Sequence, residues 1–374
     1  MIFLLACASP DGDKKTPDPA VEEGEVITSD AFETTTDRDG TTTIDVEVTS
    51  PDDVFQVILR RNRGLADVEQ VYDPDGNLVL DWEDWYDSSY QLTECFYPYE
   101  FASTCNWPVR EQDGPLAVGT WQVVVATIDN SYNYDPRADL DVEVLRRTDS
   151  AFAKGDLRAV IAYATGVRDE DGVVDAVEAA AAYWVELYAA VGITLTVEYD
   201  DIDVDPAMPD TYEGEDAYAE LMQGRDERAV LVVVGETIAD DEYTYGEAGG
   251  IPGPYGPAEM GAVEVAWLAN AGSDARFSDS DIALMGETMA HEVGHYMGLF
   301  HPVDYNYDYT EAQFWDAIDD TDECTSWKRC DNVLGENLMY PYPVCSSMQT
   351  SSCIRQDTLT SDQAGVLNRY AGVE

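Results

Sequence analysis

Short segments in which apolar and polar residues alternate begin after residue 26. Residues 43–48 alternate strictly, which is the period of a half-buried strand. Similar runs predict strands at residues 53–59, 68–72, 78–80, 119–125 and 140–145. Many short strands without a helical period predict an all-β sandwich over residues 26–147.

The pattern changes near residue 150. Residues 175–191 are rich in Ala, have apolar residues at helical spacing and are followed by Gly192, a typical helix end. Strands are predicted at residues 157–164, 193–199, 229–234 and 262–268. The order strand, helix, strand, strand predicts an α/β (α+β) domain over residues 151–374, with a mostly parallel sheet.

The N-terminus has the features of a targeting segment. Residues 1–7 are apolar and end in Leu4-Leu5-Ala6-Cys7, which resembles the lipobox of bacterial lipoproteins, where Cys7 would carry the lipid. The segment lacks a positively charged start and is shorter than a usual signal, so a random apolar start is the alternative. Residues 8–25 are rich in Pro and charge, which predicts a disordered tether. We therefore expect an exported protein, either an outer-membrane or cell-surface lipoprotein or a secreted one.

The net charge of the chain limits the classes of partner that it can bind. The chain has 20 Lys and Arg against 76 Asp and Glu, a formal net charge of −56. A face that binds phosphate must be basic, so we expect no nucleic acid partner and no membrane contact except through an N-terminal lipid. No apolar run approaches the roughly 20 residues that span a bilayer.

Six cysteines remain after Cys7, and an even number in an exported chain predicts disulfides. Cys95 and Cys105 are the natural local pair. The other four permit three pairings, among which the sequence does not choose: Cys324, Cys330, Cys345 and Cys353. A zinc site made from these four is disfavoured because no C-x-x-C pair occurs. A thiolate of Cys95 or Cys105 on zinc, as in a latent enzyme, is the less favoured alternative to their disulfide.

One helix is predicted to carry the chemistry. Ser278 and Asp281 have the spacing of a capping box. One apolar stripe follows at helical spacing, made of Ile282, Met285, Met289, Val293 and Tyr296. The helix runs into residues 291–301, which read H-E-x-x-H-x-x-G-x-x-H and contain all three His of the chain.

The three His have the spacing of a zinc site. His291 and His295 are four residues apart and therefore project from one helix face, where both reach one Zn²⁺. Gly298 lets the chain turn back, so that His301 supplies the third nitrogen. Glu292 is then the candidate general base, with a zinc-polarised water as nucleophile. Three buried structural His, or a structural zinc site with a fourth protein ligand, are the alternatives.

The eleven-residue motif resembles that of the metzincin clan of zinc endopeptidases. Asn337-Leu338-Met339-Tyr340-Pro341 matches the metzincin Met-turn, which implies that Met339 lies beneath the metal. Two further matches are to pappalysin-like metzincins (peptidase family M43): the D-x-x-x-D-T of residues 316–321 followed by Cys324, and the L-T-x-x-Q of residues 359–363 followed by Val366-Leu367. The resemblance covers roughly residues 155–374 and implies a metzincin-type domain, with a twisted, mostly parallel sheet and an active-site helix.

The match departs from the pappalysin and astacin pattern at one position. Those enzymes often have a Tyr two residues after the Met, where it assists the transition state. Here Pro341 occupies that position, so Tyr340 and Tyr342, which flank it, are the candidates; this string is closer to that of matrixins.

In the first region, the D-P-D-G turn of residues 73–76 and the later G-T-W-x-V-x-V loosely resemble jelly-roll accessory domains of secreted bacterial peptidases.

The metzincin resemblance also implies how substrate binds. A protein or peptide would lie as an extended strand along the sheet edge, for which residues 248–256 are the candidate rim and a surface loop is the alternative. Ca²⁺ is a second candidate ion, because Asp oxygens are its ligands. Without EF-hand spacing, a solvated acidic face is the favoured interpretation of the clustered acids: Asp200, Asp201, Asp203, Asp205, Asp304, Asp308, Asp319 and Asp320.

Taken together, the sequence predicts an exported zinc metalloendopeptidase with an N-terminal β-sandwich. The alternative is a surface lipoprotein, a binding or adhesion module with an inactive peptidase fold. The presence of Glu292 argues against that alternative, because a decayed site would most simply lose the base. A third hypothesis is an enzyme that acts on its own chain, with a cut near residues 146–150, or on one partner.

Overall fold

The computed structural model describes residues 27–61, 63–82, 88–95, 102–211, 214–225, 227–271, 276–306, 311–346 and 350–374. The predicted signal (residues 1–7, with Cys7) and tether (residues 8–25) lie outside the described residues. In the part that is described, every helix is too short or too polar to span a bilayer.

Strands make up the first region. In chain order they are β1 Thr28–Thr35, β2 Thr41–Val48, β3 Asp53–Arg60, β4 Leu65–Tyr72, β5 Leu78–Asp81, β6 Tyr90–Gln91, β7 Ala102–Trp107, β8 Gly119–Ile128 and β9 Asp139–Thr148. Eight of them form two antiparallel four-stranded sheets, in the orders β1-β9-β3-β7 and β2-β8-β4-β5. The ninth, β6, pairs outside both sheets.

The two sheets share one hydrophobic core. Val46 and Val123 of one sheet and Val57 of the other belong to the same buried cluster. The rings of Phe55 and Trp121, one from each sheet, meet edge-on with centroids 6.0 Å apart. Burying a side chain of this size stabilises a fold by about 1.5–3 kcal/mol. The arrangement agrees with the expected sandwich, whose limits at residues 26 and 147 stay predictions.

Strands and helices alternate in the second region. In chain order they are β10 Gly155–Tyr163, α1 Val173–Ala190, β11 Ile193–Asp201, β12 Ala207–Met208, α2 Asp216–Gln223, β13 Val230–Gly235, β14 Thr237–Ile238, β15 Gly246–Ala248, β16 Ala262–Ala266, α3 Trp267–Ala271, α4 Asp279–Tyr296, β17 Asp304–Tyr305, β18 Ala312–Asp316, α5 Trp327–Leu334 and α6 Ser361–Arg369. Five of the strands form one sheet, in the order β11-β10-β13-β16-β15.

This sheet is the mostly parallel one that the sequence predicts. The first four strands in its order are parallel, and β15 runs antiparallel at the edge. Helices α1 and α4 pack against each other, and the Tyr188 hydroxyl on α1 donates to the Ala290 carbonyl on α4 at 3.0 Å. Helix α2 covers the opposite face, where the Tyr218 hydroxyl donates to Glu264 on β16 at 2.5 Å.

Three details of the second region differ from the sequence prediction. Helix α2 stands between β11 and β13, where none was predicted; only Tyr218 and Met222 on it are buried, too few to give a helical period. Strand β16 ends at Ala266 because Trp267 begins α3. The edge strand near α4 is β15, which shares only Ala248 with the rim predicted at residues 248–256; the other edge strand of the sheet is β11.

Three disulfides join neighbouring cysteines. Cys95–Cys105 is the predicted local pair, and its formation leaves neither thiol to hold zinc. The four late cysteines pair in sequence order, Cys324 with Cys330 and Cys345 with Cys353. Three disulfides are typical of an extracellular or periplasmic protein.

Buried polar side chains join the two regions. The Gln56 amide on β3 donates to the Gly253 carbonyl at 3.0 Å and accepts from the Tyr255 N–H at 3.1 Å. Asn106 on β7 donates to the Arg369 carbonyl and accepts from the Ala371 N–H, both at 3.0 Å. Because both side chains are satisfied across the interface, the sandwich has one defined position on the second region.

Most of the segment considered for self-cleavage lies within the sandwich. Arg146 and Arg147 belong to β9, which pairs with β1 on one side and β3 on the other. Arg147 is 1% exposed and donates to the Asn368 carbonyl. A cut at these two residues would first require β9 to leave its sheet, because a protease cuts an extended, accessible chain. Ser150 lies beyond β9 and is exposed, so a cut there stays a prediction.

Candidate metal centre

Helix α4 begins at the predicted capping box. The Ser278 hydroxyl accepts from the Asp281 N–H at 3.3 Å, and the Asp281 carboxylate accepts from the Ser278 N–H at 2.7 Å. The predicted stripe is buried except for Ile282, which is half-buried. Burial of this face fixes the rotation of the helix, so that His291 and His295 lie together on a different face of it, where His295 is also buried.

The structure brings the three His together through their Nε2 atoms. These atoms are separated by 3.0 Å between His291 and His295, 3.1 Å between His295 and His301, and 3.3 Å between His291 and His301. In the part of the chain that is described, they form the one group of three or more His, Cys, Asp or Glu donors close enough to share an ion.

Each His is held by its other ring nitrogen. The Nδ1 of His291 donates to the Leu338 carbonyl and that of His295 to the Leu299 carbonyl, both at 2.6 Å. The Nδ1 of His301 donates to the Asp304 carboxylate at 2.9 Å. Partners of this kind place the proton on Nδ1 and leave the Nε2 lone pair for a metal.

The lowered pKa values of His291 and His295 also suit metal ligands. Burial, with the neighbouring His301, lowers the pKa of His291 to about 3. The same two causes hold the pKa of His295 well below its usual range. Neutral imidazole is the ligand form, so the lowered pKa values of His291 and His295 suit Zn²⁺ ligands.

The chain between His295 and His301 turns at Gly298, as the sequence predicts. Gly298 has φ of 110°, a conformation that side chains rarely allow. Its N–H donates to the His295 carbonyl at 2.8 Å, which ends the helix. The turn returns the chain toward the helix and brings His301 beside the first two ligands.

Met339 lies beneath the helix at the level of the ligands. It is fully buried, and a Cβ placed on Gly294 would lie 2.7 Å from its sulfur. The Met339 N–H donates to the Asn337 side chain at 2.9 Å, and Asn337 in turn donates to Gln363 at 2.8 Å. These bonds fix the turn that contains Leu338, whose carbonyl holds His291. The sequence predicted the turn but not these hydrogen bonds.

The Glu292 side chain on α4 packs against β15. A Cβ placed on Gly246, the first residue of β15, would lie 2.6 Å from the Glu292 side chain. Burial, with the charge of Glu247, raises the pKa of Glu292 to about 8. Glu292 therefore lies next to an edge strand of the sheet and lines a small cavity together with His291.

The two candidate tyrosines differ in their surroundings. The hydroxyl of Tyr340 is engaged, because it donates to Asp331 at 2.7 Å and lies 2.8 Å from the hydroxyl of Tyr305. Tyr342 is only half-buried, and its ring meets that of Tyr340 edge-on, with centroids 5.3 Å apart. Both line a small cavity of about 50 Å³ beside His291 and Glu292. Tyr245 and Glu287 also line it, and no sequence pattern had singled them out.

Several of the acidic residues considered for calcium have other partners. Asp200 and Asp201 pair with Arg225 and Arg168. Asp304 holds His301 rather than facing solvent alone. Asp320 accepts from the Ser361 hydroxyl and the Asp362 N–H at the start of α6. Asp308 lies outside the described residues, and Ca²⁺ binding stays a prediction.

No protein-family model matches the chain, and no curated protein sequence matches it. Among solved structures, metalloproteinase-II from Bacteroides fragilis matches with a TM-score of 0.33 at 12% identity, over 62% of this chain and 63% of that one. Archaemetzincin from Methanopyrus kandleri matches with a TM-score of 0.26 at 13% identity, over 45% of this chain and 84% of that one. At these scores the chemistry has to be argued from the residues of the site itself.

Proposed function

We propose that the chain is a zinc-dependent metalloendopeptidase. The observation that carries the proposal is the convergence of three Nε2 atoms within 3.0–3.3 Å of one another, next to Glu292. His291, His295 and His301 would hold one Zn²⁺. When bound there, Zn²⁺ supplies Lewis-acid chemistry, which polarises a carbonyl and lowers the pKa of water.

Glu292 performs the proton transfers of the reaction. Its carboxylate accepts a proton from the water whose oxygen forms a bond to the scissile carbonyl carbon. The C–N bond then breaks, and Glu292 donates that proton to the leaving amine nitrogen. The raised pKa of Glu292 suits a group that must both accept and release a proton.

The sheet edge supports a peptide as substrate. Strand β15 is last in its sheet, so in the described residues its outer side pairs with no other strand. An extended peptide can add to such an edge through main-chain hydrogen bonds, which do not depend on its side chains. Because Gly246 lies against Glu292, a peptide on β15 passes the base.

Two finer assignments belong to the same proposal. Kinship with pappalysin-like metzincins is supported by the D-x-x-x-D-T segment, in which the Thr321 hydroxyl donates to Asp316 at 2.6 Å. Export is supported by the three disulfides, and lipid attachment at Cys7 by the sequence alone. Mass spectrometry of the N-terminal peptide would detect that lipid directly.

The test is a cleavage profile. Zinc-loaded protein is incubated with a denatured proteome, and new termini are identified by mass spectrometry. Glu292→Gln should bind Zn²⁺ but lose activity by about 10²–10⁴-fold, whereas Glu186→Gln, an exposed Glu on α1, should match wild type. The proposal is wrong if Glu292→Gln yields the same termini, or if wild type binds zinc and yields none.

A further inference from the structure

A strand from the sandwich extends a sheet of the second region. Tyr90 and Gln91 of β6 pair in parallel with Trp315 and Asp316 of β18. The Trp315 N–H donates to the Ser89 carbonyl at 2.9 Å. The Tyr90 ring lies 6.1 Å from that of Trp315, and its hydroxyl donates to Glu323 at 2.9 Å.

That sheet carries the partner of the third ligand. Strand β18 pairs on its other side with β17, where Asp304 is opposite Phe314. Asp304 accepts from the Nδ1 of His301 at 2.9 Å. An unbroken series of contacts thus runs from Tyr90 through β18 and β17 to the ring of His301. The other two ligands are held by carbonyl groups outside this sheet.

The same stretch of the sandwich, residues 88–95, touches two more parts of the site; we call it the bridging segment. Leu92 and Thr93 line a small cavity together with Met297 and Gly298, at the turn that leads to His301. The Glu94 N–H donates to the Ile251 carbonyl at 2.8 Å, and the Ile251 N–H donates back to the Glu94 carboxylate at 3.2 Å.

The bridging segment is itself fixed to the sandwich at its far end. Cys95 forms the disulfide with Cys105 on β7, and its carbonyl accepts from the Val68 N–H on β4 at 3.2 Å. One end of the segment is therefore anchored in the sandwich core while the other completes the sheet next to the ligand cluster.

We infer that the sandwich is part of the metal centre, and that Tyr90 is a positioning residue for His301. This inference rests on the proposed function, because it takes the three His as a zinc site. Tyr90 keeps β18 in place, β18 keeps β17 in place, and Asp304 on β17 orients the third imidazole. An oriented ligand binds more tightly because less freedom is lost on binding.

The experiment measures Zn²⁺ affinity of the full chain by competition with a chelator. Asp304→Ala should weaken Zn²⁺ binding by about 10–100-fold, as loss of a ligand's partner generally does. Tyr90→Ala should weaken it by about ten-fold, and Tyr90→Phe, which loses only the bond to Glu323, by less. The matched control is Tyr134→Ala, which loses a similar bond to Glu69 within the sandwich and should bind Zn²⁺ like wild type.

A double-mutant cycle separates positioning from general destabilisation. If Tyr90 acts through Asp304, then Tyr90→Ala made in the Asp304→Ala background should change the affinity by less than about two-fold. In metal-free protein, Tyr90→Ala should also speed amide hydrogen exchange in residues 303–306, while the urea midpoint of global unfolding moves little.

Each contrary result has a distinct meaning. Equal affinities in Tyr90→Ala and Tyr134→Ala, or fully additive effects in the cycle, overturn the role of Tyr90 and leave the proposed peptidase standing. A wild-type chain that binds no Zn²⁺ overturns the proposed function, and the positioning role with it.

Discussion

Asp67 is a carboxyl group buried in the sandwich on β4. It is 8% exposed, and its Oδ1 has no hydrogen-bond partner among the described residues. Burial, with the nearby charge of Glu69, raises the pKa of Asp67 to about 8, because removal of water disfavours the charged form. The folded protein therefore keeps a proton that the unfolded chain releases above about pH 4.

This difference in proton binding makes the free energy of unfolding depend on pH, with a known sign. Between about pH 4 and pH 8 the folded state binds more protons, so the free energy of unfolding falls as the pH rises. Asp67→Asn stays neutral and removes this contribution. Its stability relative to wild type should therefore be roughly 2–4 kcal/mol greater at pH 8 than at pH 5. Urea unfolding at both pH values measures it, with the exposed Asp45→Asn as control; a difference independent of pH would contradict the assignment.

At the metal centre, the sequence predicts the ligands but not the groups that orient them. The three ligands and Glu292 are evident because their spacing is a pattern of side-chain types. Their partners are not, since every residue has a carbonyl like those of Leu338 and Leu299. Asp304 was visible only as one acid among many, and its role depends on a strand pairing that the sequence does not display.

Residues 249–256 support helix α4 without forming a regular element. The Gly253 N–H donates to the Tyr296 carbonyl at 2.9 Å, and the Tyr296 hydroxyl donates to the Pro254 carbonyl at 2.7 Å. The Gly253 carbonyl accepts from Gln56 of the sandwich. Gly253 is thus packed between the end of the ligand-bearing helix and the first region.

Gly253 therefore has no room for a side chain. A Cβ there would lie 2.1 Å from the ring of Tyr296, which is buried and has no space to move. Gly253→Ala should lower the free energy of unfolding by about 1–3 kcal/mol or more, as overpacking does. Gly224→Ala, where the nearest atom is 3.6 Å away, is the control and should be close to neutral. Equal unfolding midpoints for the two variants would show that the neighbourhood of Gly253 relaxes freely.

The elements that the sequence predicted have a recognisable apolar pattern, such as the alternation of β2 or the helical period of α1 and α4. The sequence missed β1 and β7, of eight and six residues, because β1 is almost wholly exposed and β7 is buried throughout, so that neither alternates. Strands β6 and β15 have two and three residues. Their positions are set by partners far along the chain, so no local period could reveal them, although they form the wall and the edge of the site.

At the scale of the whole molecule, the two regions behave as one body. Besides Gln56 and Asn106, an ion cluster crosses the interface, in which Glu143 on β9 pairs with Arg60 at 3.1 Å and with Arg228 of the second region. Buried hydrogen bonds and charges of this kind cost several kcal/mol to separate from their partners. An accessory domain that only tethered or bound ligands would not need such contacts.

The disulfide of Cys95 and Cys105 should then matter to the metal centre as well as to stability. Cys95→Ala/Cys105→Ala should lower the free energy of unfolding by about 2–4 kcal/mol. It should also weaken Zn²⁺ binding by about as much as Tyr90→Ala does, because the bridging segment loses its anchor. Urea unfolding and chelator competition measure the two effects. A variant that loses stability yet binds Zn²⁺ as tightly as wild type would show that the anchor is not needed.

For the proposed peptidase, this link would make zinc binding depend on the redox state of the surroundings. Where thiols are kept reduced, the bridging segment of a newly made chain would be tied at one end only, and its third ligand would be less firmly held. An oxidising compartment would close the Cys95–Cys105 bond and complete the centre. If the chain is exported as proposed, the compartment that synthesises it would thus not be exposed to an active peptidase.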